Sequence, residues 1–488
     1  MILFGVPAAV QRFFAPVTAA VSRPLRRAIP AMVLALLLAP HRRCLKTLAG
    51  VVLGRRNHAS TISRRLRNAN WRTWDWYVCL YQHTLAAVDR YERQWAAAQR
   101  GEPARHWMAI VDTTYHATHA EVMENVLTFN RRQNPNSRAT RHHAFVLGMV
   151  LTDTGARIPL PRRSYYTRDY CQRHGRRYRT QVELAAALLR DLVVPAGVAV
   201  TAVYDSAFDA DDIHRVCRHR HFREVFPLDP NRTFAAGPDA DASGVPGQKV
   251  VGWTRSWGRE QFTLVALQHA NEAHGFMRRR HRDNLRLRKT TRRYAVASQP
   301  ATVSGLGACL VVASYKENPR VQLLAGESAD WYAYHQAQRP PRKQQRWVPQ
   351  RWHGKVLACT DTTASARQVV EWYEVRWQIE LFFRELKSRM QFGCYVLQKF
   401  EAVERYVDLI LLGMLLLEQE RLREMEQNQR RPRVGEANVQ ARTTDRLRCL
   451  ESQCQEWNIG VLEQALRTEA GRRRFIRRLR AAVPAHVA

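Results

Sequence analysis

Val198-Ala199-Val200-Thr201-Ala202-Val203-Tyr204-Asp205 is an apolar, β-branched run that ends on a carboxylate. Such residues fit a pleated, buried surface, so the run predicts a strand. The period then changes. Ala210–His219 reads as a helix and Phe222–Pro227 as another short strand. Upstream, Arg179–Leu192 has helical spacing, and His143–Thr152 and Ala156–Leu160 form a hairpin across Asp153-Thr154-Gly155. Before them, Trp107–Val111 is a short apolar run ending in Asp112. Three strands, helix, strand, helix and strand make an α/β fold with a mixed sheet core.

Outward from this core the pattern breaks on both sides. Residues 229–361 do not continue the alternation and carry β candidates at Lys249–Trp253, Gln261–Leu267, Ala308–Lys316 and Val356–Thr360, with a polar, basic loop at Gln336–Arg346. This stretch predicts a β-rich insertion. Helical register resumes at Ala364 and continues past Met390, and a second apolar helix covers about 401–424. The organisation predicted is a helical, basic region at 1–104, a core in two parts at 105–228 and 362–426, the insertion at 229–361, and an Arg-rich helical region at 427–488. Within the first region, Cys44–Leu53, the turn Gly54–Asn57 and the basic segment Ala59–Asn68 outline a helix-turn-helix, a pattern shared with any solvent-facing helical hairpin.

Composition narrows the function. The chain has 488 residues with 77 Lys or Arg and 43 Asp or Glu, for a net charge of +34. Only eight of the cations are Lys. An Arg bias follows from GC-rich coding, but 34 uncompensated positive charges call for a polyanionic partner, either nucleic acid or an anionic membrane surface, with nucleic acid favoured. Disorder throughout is excluded by 45% hydrophobic residues and by 13 Trp, 16 Tyr and 16 Phe. The apolar runs Ala31–Ala39, following Pro30, and Leu409–Leu417 have nine residues each, where a spanning helix needs about 20, so they predict no membrane role, and the first suits a short buried helix. No signal peptide is evident at the N-terminus, and nine scattered cysteines with no Cys-x-x-Cys suggest a reduced, cytoplasmic setting. The cluster His214, Cys217, His219, His221 lacks a second ligand pair for zinc and reads as a basic helix end entering a strand.

Asp112 and Asp205 each stand at the end of an apolar strand-like run, where open sheets place their ligands, although an Asp there also caps the following turn. Of the other acids, Asp209, Asp211 and Asp212 fall in an expected first helical turn, Glu374 and Glu385 point off the polar stripe described next, and Asp361 ends a strand-like run. The segment Trp372-Tyr373-Glu374-Val375-Arg376-Trp377-Gln378-Ile379-Glu380-Leu381-Phe382-Phe383-Arg384-Glu385-Leu386-Lys387 is strongly helical. On one continuous helix at about 100° per residue, Tyr373, Arg376, Glu380 and Lys387 fall within roughly 60° of one another. That stripe is either a salt-bridged solvent face or one wall of a site in which Asp112, Asp205 and Glu380 converge on metal.

The spacing Tyr-x2-Arg-x3-Glu-x6-Lys, read as Tyr373, Arg376, Glu380 and Lys387, resembles the signature of insertion-sequence DDE transposases of the IS-four type. The wording around it is similar too: Arg376–Glu380, Phe383–Lys387, Asp112-Thr113-Thr114 and Asp205-Ser206-Ala207-Phe208. The resemblance spans about residues 105–420. It implies an RNase H-like core interrupted by the β-rich insertion, with Asp112, Asp205 and Glu380 catalytic and binding two Mg²⁺ ions, for which Mn²⁺ would substitute. It also implies that Tyr373, Arg376 and Lys387 contact DNA phosphates near the cut. The partners implied are terminal inverted repeats, target DNA and a second copy of the chain, in a bacterial, nucleoid-associated setting. Some transposases of this type press an aromatic side chain of the insertion against a flipped base, and Trp253, Trp257, Trp331, Trp347 and Trp352 are candidates. A nuclease of the same core that does not transfer strands, and a non-catalytic DNA-binding descendant, are the competing readings.

Overall fold

The computed structural model describes residues 6–18, 21, 23–38, 59–68, 72–97, 105–118, 122–128, 141–229, 231–235, 246–250, 254, 260–269, 287–317, 352–388, 390, 392–393, 395, 397–427 and 439–482. The first helix expected of the helix-turn-helix, the loop Gln336–Arg346, and Trp253, Trp257, Trp331 and Trp347 lie outside the described residues. In chain order the elements begin with helices α1 (Ala8–Thr18), α2 (Arg23–Leu38), α3 (Ala59–Asn68) and α4 (Thr73–Ala97). Strands β1 (Arg105–Thr118), β2 (Leu127–Thr128), β3 (Arg141–Leu151), β4 (Arg157–Pro159) and β5 (Arg163–Ser164) follow, then α5 (Arg168–Arg173), α6 (Gln181–Arg190) and β6 (Val198–Val203). A 3-10 turn at Ser206–Phe208 leads to α7 (Asp211–His219) and β7 (Arg223–Pro227). Next come β8 (Glu260–His269), β9 (Leu287–Val303), β10 (Gly307–Glu317) and β11 (Trp352–Cys359). The chain ends in α8 (Ala366–Glu374), α9 (Trp377–Ser388), α10 (Phe400–Gln427), α11 (Val439–Leu466) and α12 (Glu469–Ala482). This is a mixed α/β fold, and it divides into two compact units.

The first unit holds residues 1–200 and 377–488. Its sheet is built on β3, which pairs antiparallel with β1, β2, β4 and β5. Every residue of β3 from His142 to Val150 is buried, the mark of a strand covered on both faces. The Leu409–Leu417 run lies within α10, which is buried almost throughout and packs on α2, α3 and α4. The run is therefore the centre of a helical core. Among the described residues, no helix is long and apolar enough to cross a membrane. The apolar stretch after Pro30 is the second half of a longer helix: α2 begins at Arg23 and carries Pro30 inside it, against the expected start.

A buried ion cluster joins these layers. Arg162 donates through Nε to Asp408 at 2.6 Å and through Nη1 to Glu404 at 2.8 Å, while Thr73 at the head of α4 donates to the other Asp408 oxygen at 2.6 Å. Asp408 is fully buried, and its burial raises the carboxyl against the opposing pull of Arg162. On β4, Arg157 reaches Glu385 of α9 at 3.1 Å, with both side chains 2% exposed. Glu385 is the acid that pins α9 to the sheet, on the side away from Glu380.

The second unit holds residues 201–376. The Thr201–Val203 part of β6 runs parallel to β7, β7 pairs antiparallel with β11, and the meander continues antiparallel through β10, β9 and β8. The candidate strands at 261–267, 308–316 and 356–360 correspond to β8, β10 and β11. The 17-residue β9, which also pairs with both β8 and β10, is an addition to the sequence reading. Ser365 caps α8 in a capping box with Gln368, which fixes where the helix starts.

Candidate functional site

Asp112 does not end its strand. The apolar run stops there, but β1 continues through Thr113, Thr114 and Tyr115 to Thr118, paired with β3 as far as Arg141. Thr and Tyr have high strand propensity, so the ladder outlasts the hydrophobic stretch that marks it. Asp112 is half-buried in mid-strand, opposite Leu147, and its Oδ1 accepts from the Thr113 N–H at 2.7 Å. By the two-residue period of a strand, Asp112, Thr114 and His116 share one face. On the other face, Thr113 and Tyr115 meet Gln181 at the head of α6, at 3.3 and 3.2 Å.

The face carrying Asp112 meets the C-terminal end of α9. Burial draws the Lys387 ammonium below its ordinary range, and the Asp112 carboxylate partly offsets it, so the two groups lie within electrostatic reach. Beyond α9 the chain passes Gly393 at φ +104°, and a Cβ there would sit 1.8 Å from the His116 ring. The His116 ring also meets Phe392 edge-on and Tyr395 at 5.3 Å. Burial, then the charges of His143 and Lys387, draw His116 down to about 4 against a hydrogen bond with the Gly393 backbone, so this imidazole is neutral at neutral pH. Strand alternation from Asp112 was the signal available for His116. Nothing in the sequence marks Gly393 as its seat.

Gly393→Ala is expected to destabilise the chain by about 2–4 kcal/mol, since an L side chain is strained at this φ and the ring must also move. Adding His116→Ala should recover the packing part and leave the backbone part, readable by urea unfolding. A cost below about 0.5 kcal/mol for Gly393→Ala would show that the ring does not rest on this backbone.

The expected single helix from Ala364 past Met390 is two helices. Val375 and Arg376 interrupt it, with i→i−3 bonds from Val375 N to Trp372 O and from Arg376 N to Tyr373 O. The break carries neither Pro nor Gly. The four-residue stripe therefore does not survive as one helical face. Tyr373 and Arg376 belong to the second unit, Glu380 and Lys387 to the first. Within α9 the pair remains aligned, because seven residues are nearly two turns, about 10.5 Å apart along the axis. Glu380 sits in the first turn and Lys387 in the last, each placed where the helix dipole favours its charge. Tyr373 is buried, accepts from Lys355 Nζ at 2.9 Å, and has the Arg376 guanidinium 5.9 Å from its ring centre.

Asp205 belongs to the second unit. It follows β6 and caps the 3-10 turn Ser206–Phe208, with Oδ1 accepting from Ser206 N at 3.0 Å. Four residues on, Asp209 is not the helix-capping residue expected: Ala210 takes that position. Asp209 is instead buried between His214 at 3.0 Å and Arg232 at 2.7 Å, and it accepts from Asp229 N at 2.9 Å. The other His214 nitrogen meets Glu224 at 2.8 Å, and the Tyr204 hydroxyl donates to the same carboxylate at 2.5 Å. Burial pulls His214 down, but its two carboxylates outweigh that and push it up to about 9. His214, whose cluster the sequence reads as a basic helix end and not a zinc site, is thus engaged with two acids. Of the remaining acids, Asp361 pairs with Arg223 at 3.1 Å and takes the Thr363 hydroxyl, and Glu374 pairs with Lys316 at 3.3 Å.

The model of the transposase DDE domain matches residues 170–416, just over half of the chain. The chain belongs to this family. The match covers Asp205, Tyr373, Arg376, Glu380 and Lys387 and begins beyond Asp112. No curated protein matches the sequence. Among the described residues of this DDE-domain protein, no three or more His, Cys, Asp or Glu side chains are gathered so as to hold a metal ion. The donor chemistry of the three expected acids fits a hard divalent cation, which takes oxygen ligands.

Proposed function

We propose that the chain is a transposase that binds the terminal inverted repeats of its own insertion sequence, cuts them, and joins them to target DNA by a cut-and-paste route. The observation that carries this is the DDE-domain match over residues that include Asp205 and the whole Tyr373, Arg376, Glu380, Lys387 signature. Asp112 joins them because it terminates the buried run of β1 and shares its surroundings with Lys387. In this reading Asp112, Asp205 and Glu380 hold two Mg²⁺ ions on an RNase H-like core, with Mn²⁺ able to replace them. Bound there, the ions supply an activated hydroxyl and a counter-charge for the leaving oxygen.

The protein's own groups do the rest. Lys387 offers a point charge and Arg376 a planar fork to phosphate oxygens, and the Tyr373 ring backs Arg376. The next residue's backbone N–H, Thr113 in mid-strand and Ser206 in the 3-10 turn, holds one oxygen of the Asp112 and Asp205 carboxylates respectively, which orients each acid. A second copy of the chain supplies the second active site that paired ends require.

The test is direct. A duplex carrying the DNA on both sides of the chain's own gene is incubated with the full-length protein and Mg²⁺. Cuts at the boundaries of inverted repeats, followed by joined products on a target plasmid and abolished by chelator, are expected. Cutting without joined products would assign a nuclease instead, and binding without cutting would assign a non-catalytic descendant.

A further inference from the structure

The C-terminal helix α12 is a helix with almost nothing to bury. Its sequence, Glu469 to Ala482, carries six arginines and one glutamate. From Glu469 to Arg477 no side chain is buried. Gly471 and Phe475 are half-buried, and Arg472, Arg473, Arg474, Ile476 and Arg477 are exposed. Gly471 and Phe475 are four apart and so lie on one face, the face turned to α11. The approach is close. A Cβ on Gly471 would stand 2.5 Å from the Ala465 carbonyl oxygen, so only glycine lets α12 lie this near the end of α11. Thr468 closes the junction, its hydroxyl accepting from Gly471 N at 3.0 Å. With that stripe turned inward, the exposed arginines spread over much of the remaining circumference.

Such a helix is not assembled for its own stability. Arg473 and Arg477 are a like-charged i,i+4 pair, and Arg472–Arg474 lie in the N-terminal half, where the helix dipole disfavours cations. Among the described residues the one ion pair on α12 joins Arg473 to Glu469. A polyanion laid along the helix would reverse both costs. From Arg472 to Arg480 the helix is about 12 Å long, comparable to the width of the DNA major groove of about 12 Å.

We propose that α12 is a duplex-binding surface, seated on α11 through Gly471 and Phe475, that sets Arg472, Arg473, Arg474 and Arg477 against the phosphate backbone without reading sequence. This rests on the reading that the chain acts on DNA and adds a grip outside the residues matched to the DDE domain.

The experiment compares the full-length chain with the triple variant Arg472→Ala/Arg474→Ala/Arg477→Ala on a fluorescent duplex of random sequence, by anisotropy between 50 and 300 mM KCl. Each lost phosphate contact removes about 0.9 from the slope of log affinity against log salt, so the slope should shrink by roughly 2–3. The loss should be the same on the element's own ends. Lys at the three positions should restore most of the slope. Ala strengthens helices, so unchanged far-ultraviolet dichroism is expected and checks folding. An unchanged slope overturns the proposal, as does a loss confined to the terminal repeats. An unchanged slope with a halved mass by light scattering would instead give the surface to a second copy. Asp205→Asn separates this surface from the catalytic reading. It should keep the wild-type slope and lose cleavage, so a slope that falls in the α12 variant of a chain that never cuts DNA would sink the catalytic reading alone.

Discussion

Asp205→Asn is expected to lower Mg²⁺-dependent DNA cleavage by at least about 10³-fold while shifting stability by less than about 1 kcal/mol. The two effects separate the two roles open to this residue. Asp205 caps the Ser206–Phe208 turn through Oδ1, and Asn caps nearly as well because its side-chain oxygen accepts the same N–H. Asn lacks the negative charge that a divalent ion needs from its ligands. A capping residue would therefore tolerate Asn with activity intact, whereas a metal ligand would not. Asp112→Asn is the matching test on β1, where Oδ1 serves the Thr113 N–H. Glu380→Gln tests α9, with a dipole cost of at most about 1 kcal/mol from the lost charge in the first turn. Cleavage is read on labelled duplex and stability by urea unfolding. Activity within tenfold of wild type in any one variant removes that residue from the site. Asp112 is the most exposed to this test, because it lies outside the stretch matched to the DDE domain.

The elements that the sequence announced share a cause. Val198–Tyr204, Phe222–Pro227 and the hairpin after His143 are short, apolar and bounded by turn residues, so local pattern and burial agree. Where they parted, long-range pairing decided. β1 outruns its apolar stretch because β3 offers partners as far as Arg141. β9 begins Leu287-Arg288-Lys289-Thr290-Thr291-Arg292-Arg293 and contains Pro300, a poor strand by composition, and it is held between β8 and β10. The interruption at Val375–Arg376 carries no breaker residue, so a periodic stripe drawn through it joined residues that the fold assigns to different helices. For the site, the carboxylates and the signature were legible as types at spacings. Their supports were not: Glu385 finds Arg157, and His116 finds Gly393, across hundreds of residues. No periodicity encodes such pairings, because they arise only when the sheet and helices pack.

The His214 cluster illustrates this at its most consequential, and its titration is expected to set the alkaline limit of stability. With His214 raised from 6.5 to about 9, the folded state binds its proton more tightly than the unfolded chain does. The stabilisation is fully present below about pH 6.5 and is lost as pH rises through about 9. Its size, at 1.36 kcal/mol per unit, is on the order of 3 kcal/mol. His214→Ala should remove that pH dependence and should itself cost about 3–5 kcal/mol near pH 6.5, because Glu224 then stays buried beside the neutral Tyr204 hydroxyl and Cys217 thiol, with its cation gone. Asp209 is less affected, since Arg232 remains. Adding Glu224→Gln should therefore recover a large part of the loss by removing the stranded charge, whereas Asp209→Asn should not, because it takes from Arg232 its nearest carboxylate and leaves it the Ser304 carbonyl and the more distant Asp211. Urea unfolding of the full chain between pH 6 and 10 reads the wild type and the three variants. A wild-type curve that stays flat between pH 6.5 and 9.5 would mean that His214 is neutral and that the cluster is held by hydrogen bonds alone.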